Sequence, residues 1–312
     1  MATARRHGGH FFFEASVAGG IPIIKALREG LVANRFPRIY GILNGTCNYI
    51  LTQMEEKNAP YAAVLAEAKR LGYAEADESL DVDGWDAAHK ASVLAWLAHG
   101  VWVKTDQMIV EGISRITAGD IAMARKFGYV IKLLGVAERD PSSGAVSVRV
   151  HPAMVHLQHP LAAVREAFNA VSVEGEAAGS LMFYGRGAGG EPTASSVLGD
   201  VIDASVNLNK GAHASLGVLA KSNLRAMSSL RGEYLLPLEV TDRPGVLHAV
   251  TGIFARHDVS IRAAEQDGIG NGARLVFLTH EASEAAVQEC IAELRRLDVV
   301  MRVGGLLRVI GD

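Results

Sequence analysis

The order of strand-like and helix-like segments near the end of the chain constrains its fold most. Alternating and 3.6-residue apolar patterns predict strands at 234–240, 259–266, 274–279 and 299–309, with helices at 245–257 and 283–297. This βαββαβ order within about 80 residues is that of a ferredoxin-like domain. We therefore expect the carboxyl-terminal part to fold as a small domain of that type.

The preceding residues predict a larger domain of mixed strands and helices, and 312 residues are enough for about two domains. Its predicted elements are a strand at 11–17, a helix from about Pro22, a strand at 38–43, helices at 47–57 and after Pro60, a long helix at 83–100 and a helix at 194–204. The segment 211–232 is a connector. The predicted fold class is α+β: a mixed sheet with helices on one face, followed by the ferredoxin-like domain.

Composition and charge exclude several classes of protein. Hydrophobic residues make up 49% of the chain, charged residues 21%, and the formal net charge is −3. No basic surface for nucleic acid or anionic lipid is indicated, and the apolar stretch 91–103 is shorter than the roughly 20 residues of a membrane span. Two cysteines (Cys47 and Cys290) and the lack of a secretory signal predict a cytoplasmic protein that binds neither nucleic acid nor membrane.

The predicted helix at 83–100 carries two opposite charges on one stripe. At 100° per residue, Asp86 and Lys90 share an arc of about 60° with Val93 and Leu97. One interpretation is an ordinary i, i+4 ion pair on a solvated face, worth roughly a few tenths of a kcal/mol. Because the helix is apolar on nearly all sides, the other interpretation is a desolvated lysine that donates a proton and is oriented by the aspartate.

An acidic loop precedes this helix. Glu75 and Asp81 are placed to project carboxylates toward the same pocket, where they would bind the ammonium group of an amino-acid substrate. Composition alone supports a solvent-exposed acidic loop equally well, so both interpretations stand.

Three turns are candidates for ligand binding. The glycine-rich turn at 185–190 allows close backbone approach, and the N-terminus of the helix that follows attracts anions, although such turns are most often only turns. A helix cap explains the segment 44–46 without any ligand. In the tail, the loop from Asp242 to Gly245 ends in Pro-Gly and would hold a small amino acid at a helix N-terminus, and a simple turn explains it as well.

Two kinds of signature are missing, one from the histidine spacing and one from the first 40 residues. The spacing of His151, His156 and His159 matches no zinc pattern. The first 40 residues hold no strand followed by G-x-G-x-x-G, the turn that binds the pyrophosphate of a dinucleotide. If the chain handles a dinucleotide, we expect it to carry at most the second half of the site.

Four segments, in order and at the expected separations, resemble signatures of the homoserine dehydrogenase family. They are EASVAGGIPII at 14–24, GILNGTCNYIL at 41–51, GYAEAD at 72–77 continued by DVDGWDAAHK at 81–90, and GRGAGGEPTAS at 185–195. From about residue 232 the chain resembles an ACT domain, an amino-acid-sensing module. The resemblance implies a remnant of a nucleotide-binding domain at 1–12, a catalytic and dimerisation domain at 13–230 and an ACT domain at 231–312.

Carried over position by position, the resemblance implies roles for individual residues. Lys90 would give and take the proton at the substrate oxygen, with Asp86 beside it, and Glu75 and Asp81 would bind the substrate. The other implied sites are the nucleotide contacts Gly187, Ala188, Gly189 and Thr46, the ligands Glu14, Val17, Gly19 and Ile21 of a monovalent cation such as sodium, and the effector contacts Asp242 and Gly245.

The implied reaction is reversible hydride transfer between NADP(H) or NAD(H) and L-aspartate 4-semialdehyde, which gives L-homoserine for threonine, methionine and isoleucine biosynthesis. The ACT domain would bind threonine as a feedback effector. Exposed sheet edges and the ACT domain predict a homodimer or homotetramer.

Family members begin with a nucleotide-binding domain of which these residues carry only a remnant. We therefore expect the chain to be inactive by itself. Two alternatives stay open: a non-catalytic threonine-binding regulatory or assembly protein, and an oxidoreductase that acts on a different amino-acid semialdehyde.

Overall fold

The structure is a computed structural model that describes residues 6, 7, 9, 11–74, 77–211, 223–269 and 272–310. The helices within these ranges are α1 (Ile23–Lys25, continued by one π-helical turn, Ala26–Gly30), α2 (Gly45–Lys57), α3 (Tyr61–Arg70), α4 (Ser79–Val82), α5 (Trp85–His99), α6 (Ala118–Lys126), α7 (Gly190–Lys210), α8 (Val246–Arg256) and α9 (Glu284–Leu294). None of these helices combines the length and the apolar character that crossing a bilayer requires.

The same described ranges contain thirteen strands. They are β1 (Arg38–Ile42), β2 (Ile109–Val110), β3 (Tyr129–Arg139), β4 (Val146–His156), β5 (Phe168–Gly175), β6 (Gly179–Arg186), β7 (Arg231–Gly232), β8 (Tyr234–Thr241), β9 (Ile261–Ile269), β10 (Gly272–Thr279), β11 (Ala282–Ser283), β12 (Val300–Val303) and β13 (Leu307–Ile310).

The amino-terminal segment differs from its prediction. The strand expected at 11–17 is wrong, because Glu14–Ser16 forms a 3₁₀ turn. The two carboxylate oxygens of Glu14 accept the backbone N–H groups of Ile24 and Lys25, each at 2.9 Å. These N–H groups lie in the first turn of a helix and have no partner within it. The chain therefore folds back to satisfy them, which an extended strand would prevent.

The two helices that flank the predicted site are confirmed. Helix α2 covers the expected 47–57 and begins two residues earlier, because the side chain of Asn44 caps it. Helix α5 lies within the expected 83–100 and is bounded by two glycines in the left-handed region, Gly84 at φ +89° and Gly100 at φ +73°. Only glycine adopts this conformation without strain, so both ends of α5 are set by sequence.

The chain divides into two compact units, which are described separately. The first unit comprises residues 1–114, 133–151 and 163–224, and the second comprises 115–132, 152–162 and 225–312. The domain boundaries expected after residues 12 and 230 stay predictions.

The first unit contains a mixed sheet. Its strands lie in the order β6–β5–β1–β3–β4. Strand β1 is antiparallel to β3 and β5, β5 is antiparallel to β6, and β2 pairs in parallel with β4. Helix α5 packs directly on this sheet, since a Cβ added to Gly135 of β3 would lie 3.2 Å from the Cβ of Ala91.

The second unit confirms the ferredoxin-like prediction. Strand β8 lies between β12 and β10, and β9 is the outer neighbour of β10, all antiparallel. Apolar side chains of these strands, among them Leu236, Leu238 and Phe277, form one buried core with Val250 and Leu294 of α8 and α9. The mixed sheet of the first unit and this domain together confirm the predicted α+β class.

The last strand is not continuous as expected at 299–309 but is divided into β12 and β13. The interruption faces Pro237 of β8, which has no N–H to donate to a neighbouring strand. Gly304 lies in the gap and donates its N–H to the Pro237 oxygen at 2.8 Å. A Cβ at Gly304 would lie 2.6 Å from the proline ring, so this close approach requires glycine.

Candidate active site

A cleft of about 560 Å³ opens in the first unit, next to the start of α2 and the end of β6. This volume is typical of small-molecule sites, which measure roughly 300–1,000 Å³. Its lining includes residues from five separate parts of the chain, namely Asn44, Gly45, Thr46, Tyr73, Asp81, Asp86, Lys90, Glu166, Phe168, Asn169, Gly187, Ala188 and Gly189. The expected catalytic, substrate and nucleotide residues that lie in the described ranges therefore border one space.

Lys90 extends from α5 to the wall of this cleft. Its Nζ lies 2.7 Å from Oδ2 of Asp86, one turn earlier, and donates to the backbone oxygen of Leu43 at 3.1 Å. The two side chains of the ion pair are 22% and 24% exposed. The pair is thus neither fully solvated nor sealed, because one side is packed and the other faces the cleft.

Asn44 connects the two aspartates to the helix start. Its Oδ1 accepts the N–H of Cys47 at 2.8 Å, which is the helix cap predicted from sequence. Its Nδ2 donates to Oδ1 of Asp81 at 2.7 Å and to Oδ2 of Asp86 at 2.9 Å. One buried amide therefore holds both carboxylates at the cleft, a role that the capping pattern did not reveal.

The acidic loop is described in part. Asp81 lies in α4 and lines the cleft, whereas Glu75 falls outside the described residues. The Cys47 thiol donates to the Asp81 backbone oxygen at 3.2 Å. Burial raises the pKa of Cys47 well above its ordinary value, and the carboxylates of Asp81 and Asp86 raise it further. Cys47 therefore stays a protonated thiol and is unsuited to act as a nucleophile.

Helix α2 also holds the opposite wall of the cleft. The Nδ2 of Asn48 points toward three backbone oxygens and donates to those of Glu166 at 2.8 Å, Phe168 at 3.1 Å and Val164 at 3.3 Å. Glu166 has φ +54°, in the left-handed region, which is uncommon for residues other than glycine. The amide of Asn48 thus stabilises a turn that the backbone alone would disfavour.

The expected nucleotide contacts lie at the mouth of the cleft. Gly189 has φ +123° and precedes the first turn of α7, and its oxygen accepts the N–H of Thr193 at 3.0 Å. Gly187 and Ala188 line the cleft beside it. Thr46 also lines the cleft, and its hydroxyl donates to the Tyr73 backbone oxygen at 2.7 Å. That hydroxyl therefore positions the turn leading to the acidic loop.

The four residues expected to hold a cation lie on one short segment. The oxygen of Gly19 accepts the hydroxyl of Ser196 at 2.6 Å, and that of Ile21 accepts the N–H of Ile23 at 2.7 Å. Burial raises the pKa of Glu14 despite its two backbone hydrogen bonds. Across the described ranges, no group of three or more His, Cys, Asp or Glu side chains is arranged to hold a metal ion, so a cation here would depend mainly on backbone oxygens.

The expected effector residues lie in the second unit. Asp242 is exposed. Gly245 has φ +90° and precedes α8, and no side chain caps this helix start. The first backbone N–H groups of α8 therefore have no side-chain cap among the described residues, and the effector role of Asp242 and Gly245 stays a prediction.

Sequence reasoning missed Asn169 altogether. This residue of β5 is 1% exposed, and its Nδ2 donates at 3.1 Å to the same Leu43 oxygen that accepts Lys90. No local pattern marks it, because its partner is 126 residues away.

Comparison with known proteins gives matches over both units. A family model described as homoserine dehydrogenase matches residues 22–202, and one described as ACT domain matches residues 234–299. Homoserine dehydrogenases of Mycobacterium tuberculosis and Bacillus subtilis are 46% and 41% identical, covering 96% and 100% of this chain. The chain spans 70% and 73% of the length of those two proteins.

Solved structures agree with these sequence matches. The crystal structure of a homoserine dehydrogenase from Thiobacillus denitrificans has a TM-score of 0.93 at 41% identity, covering 99% of this chain and 72% of that one. A hyperthermophilic archaeal homoserine dehydrogenase in complex with NADPH has a TM-score of 0.57 at 30% identity, covering 66% of this chain and 59% of that one.

Proposed function

Because the chain belongs to the homoserine dehydrogenase family and carries an ACT domain, we propose that it catalyses the reversible reduction of L-aspartate 4-semialdehyde to L-homoserine with NADPH or NADH. This reaction would serve threonine, methionine and isoleucine biosynthesis. One observation carries the proposal: the Lys90 ammonium faces a small-molecule cleft while Asp86 and the Leu43 oxygen hold it in place.

Lys90 would act as the proton donor. An ammonium group has three N–H donors, and among the described residues two of them are engaged, by Asp86 and by the Leu43 oxygen. The third is available for the aldehyde oxygen, where negative charge develops during reduction. A fixed donor at that position stabilises the transition state. In the reverse direction the neutral amine would take the proton of the homoserine hydroxyl.

Asp81 and Glu75 would bind the substrate. Asp81 is held at the cleft by Asn44 with an acceptor oxygen on its carboxylate, a group that pairs strongly with an ammonium. Glu75 lies outside the described residues and enters the proposal from its place in the acidic loop of the sequence and from the family resemblance.

The glycine turn fits a nicotinamide nucleotide. Gly187, Ala188 and Gly189 present backbone to the cleft at the N-terminus of α7, and Thr46 lies on the cleft lining as well. Helix N-termini favour the negative charge of phosphates, and the archaeal relative is described in complex with NADPH. When bound, the nicotinamide would supply the hydride for the carbonyl carbon.

A monovalent cation such as sodium would be held by Glu14, Val17, Gly19 and Ile21. The donor set fits a hard cation, since it consists of backbone oxygens and one carboxylate. The oxygens of Gly19 and Ile21 each accept one hydrogen bond, and a carbonyl oxygen has a second lone pair. A rise in melting temperature with sodium but not with a large organic cation would support this site.

The decisive experiment measures NADPH oxidation with aspartate semialdehyde. The first 40 residues hold no strand followed by G-x-G-x-x-G, so we propose that turnover requires a nucleotide-binding half joined to this chain. Lys90→Met should lower kcat by about 10³-fold in that joined protein. Lys104→Met, at an exposed lysine, should leave kcat unchanged. Lack of turnover in the joined wild type, or full turnover of Lys90→Met, contradicts the proposal.

We also propose a homodimer, or a homotetramer, formed through α7. None of the 21 residues of this helix is buried, and its exposed apolar side chains are Val197, Leu198, Val201, Ile202, Val206 and Leu208. An apolar face of this length marks an association surface, and most oligomers are symmetric pairs of one chain. Val201→Glu should lower the molar mass measured by light scattering, whereas the control Asn209→Glu should not.

Threonine would be the effector at the turn of Asp242 and Gly245. The exposed carboxylate would bind the ammonium group, and the uncapped start of α8 would bind the carboxylate of the amino acid. Calorimetry should show threonine binding that Asp242→Ala abolishes and the exposed-site control Asp298→Ala retains. Threonine binding without any semialdehyde reduction would favour the regulatory alternative.

A further inference from the structure

Asn169 is a buried amide to which the proposed mechanism assigns no task. It is 1% exposed, and its Nδ2 lies 3.1 Å from the Leu43 oxygen. The Nζ of Lys90 lies 3.1 Å from that same oxygen. A carbonyl oxygen has two lone pairs, so the amide and the ammonium together use both. The position of the ammonium thus depends on a carbonyl that Asn169 also holds.

The other side of Asn169 contacts the glycine turn. A Cβ added to Gly187 would meet the Asn169 side chain at 2.1 Å from Cγ, 2.2 Å from Nδ2 and 2.5 Å from Oδ1. Those are its three nearest atoms, so a side chain at 187 would collide with this amide first. Gly187 is not among the residues with positive φ. Glycine is therefore required at 187 by contact with Asn169, and not by the backbone conformation.

The remaining polar atom of the amide, Oδ1, lowers the stability of the fold. The Oδ1 of Asn169 is buried and accepts no hydrogen bond from any described residue. A buried polar atom without a partner is unfavourable, because it has lost its hydrogen bonds to water. An apolar residue of similar size would avoid that cost, so stability alone does not explain an asparagine. The donor Nδ2 is the part of the side chain with a partner at the cleft.

We propose that Asn169 is a positioning residue that connects the glycine turn to the Lys90 ammonium through the Leu43 carbonyl. The amide fixes the direction of that carbonyl, and the carbonyl in turn fixes one N–H of the ammonium. The same side chain packs against Gly187. Displacements of about 1 Å in a catalytic group can lower rates roughly 100-fold, so this shared contact matters for proton transfer.

The first experiment needs no turnover and uses the full chain. Gly187→Ala should lower the melting temperature by about 5 °C, the effect of overpacking by roughly 2 kcal/mol. In an Asn169→Ala background the same change should cost less than half as much, because the colliding amide is gone. If Gly187→Ala alone does not fold, recovery of folded protein in the double variant is the same result.

A neighbouring glycine provides the matched control. No atom lies within 4 Å of a Cβ added to Gly190, so Gly190→Ala should leave the melting temperature unchanged in both backgrounds. Equal losses for Gly187→Ala with and without Asn169→Ala would overturn the proposed contact.

The second experiment tests the link to Lys90 and rests on the proposed function. Asn169→Asp keeps the size of the side chain and removes the Nδ2 donor. In the protein joined to a nucleotide-binding half, kcat per active site should fall about tenfold, while KM for the semialdehyde stays within twofold. The solvent deuterium isotope effect on kcat should rise, because proton transfer becomes slower. A smaller folded fraction would not move that isotope effect.

The two proposals fail in different ways. An unchanged kcat and isotope effect in Asn169→Asp would overturn the positioning role while wild-type turnover still supports the reaction. A joined wild type without turnover would overturn the proposed function, and the melting experiment would still decide whether Asn169 determines the glycine at 187.

Discussion

Two ion pairs in this molecule use the same chemistry in opposite surroundings. Asp86 and Lys90, in the first unit, are 24% and 22% exposed and face a cleft. Glu284 and Arg308, in the second unit, are 6% and 8% exposed. The guanidinium binds the carboxylate through two hydrogen bonds, of 3.0 and 2.7 Å.

The buried pair is complete without any ligand. Tyr234 donates its hydroxyl to Glu284 at 3.1 Å, and Gln288 donates to the same carboxylate at 3.0 Å. Burial acts to raise the pKa of Glu284, but the hydrogen bonds and charge of Arg308 outweigh it, so the pKa lies below its ordinary value. The Glu284 carboxylate is therefore saturated with donors.

The two pairs differ in whether they leave a hydrogen-bond donor free for a ligand. In the first unit Lys90 keeps a donor and a path to the cleft, whereas in the second every donor that reaches Glu284 comes from the domain itself. The exposure of a charged pair and the number of its unused donors thus indicate function better than the presence of the pair.

The largest effect on stability should come from breaking the buried pair of Glu284 and Arg308. Arg308→Met should lower the free energy of unfolding of the second unit by about 3 kcal/mol or more, because it leaves a buried carboxylate without its cation. Lys90→Met should change the unfolding free energy of the first unit by less than about 1 kcal/mol, since the cleft gives Asp86 access to solvent.

Urea titration followed by circular dichroism measures both variants. Comparable losses of stability in the two variants would show that the pair of Asp86 and Lys90 also stabilises the fold. Arg302→Met removes an arginine whose pair with Glu239 is exposed, and it provides the control for simple loss of an arginine.

The stabilities of the two units should respond differently to a fall in pH. Burial, with the charge of Arg139 as a second cause, lowers the pKa of His99 from 6.5 to about 4. The unfolded chain binds this proton first, so the first unit loses stability as pH falls from 6.5 toward 4, by about 2 kcal/mol at pH 5. The lowered pKa of Glu284 makes the second unit lose stability only as pH falls below about 4.5.

Melting curves between pH 7 and 5 test this order. His99→Gln should flatten the loss seen in the wild type over that interval. A wild-type curve that is flat between pH 7 and 5 would contradict the assignment to His99.

The smallest effect concerns the two roles of Asn44. Asn44→Ser keeps an oxygen that can cap α2 and should change the unfolding free energy by less than about 0.5 kcal/mol, whereas Asn44→Ala should cost about 1 kcal/mol. Both variants lose the donor to Asp81 and Asp86 and should therefore raise KM for the semialdehyde alike. Unequal KM values would show that the cap, and not the amide donor, organises the site.

Much of the first unit could be predicted because its signals are local. The i, i+4 spacing of Asp86 and Lys90 placed both on one helix face, and the structure puts them 2.7 Å apart. The cap at Asn44 was predicted for the same reason. Its donation to Asp81 and Asp86 was not, since those partners lie 37 and 42 residues away.

The misses also have physical reasons. The apolar run at 11–17 was expected to be a strand, but the carboxylate of Glu14 is needed at the start of α1. The break between β12 and β13 depends on Pro237 in a neighbouring strand. Glu75 lies outside the described residues, and its role stays a prediction. The first case depends on a side-chain contact ten residues along the chain and the second on pairing between strands, and a one-dimensional pattern reveals neither.

The left-handed glycines at the two ends of α5 have a consequence for protein engineering. Gly84 and Gly100 fix where the helix starts and stops, and Lys90 is placed by counting residues from the first of them. One residue inserted between Gly84 and Lys90 would turn the lysine by about 100° around the helix axis, away from the Leu43 oxygen. The number of residues between that glycine and the lysine therefore sets the direction of the lysine, and variants that keep Asp86 have to keep this number as well.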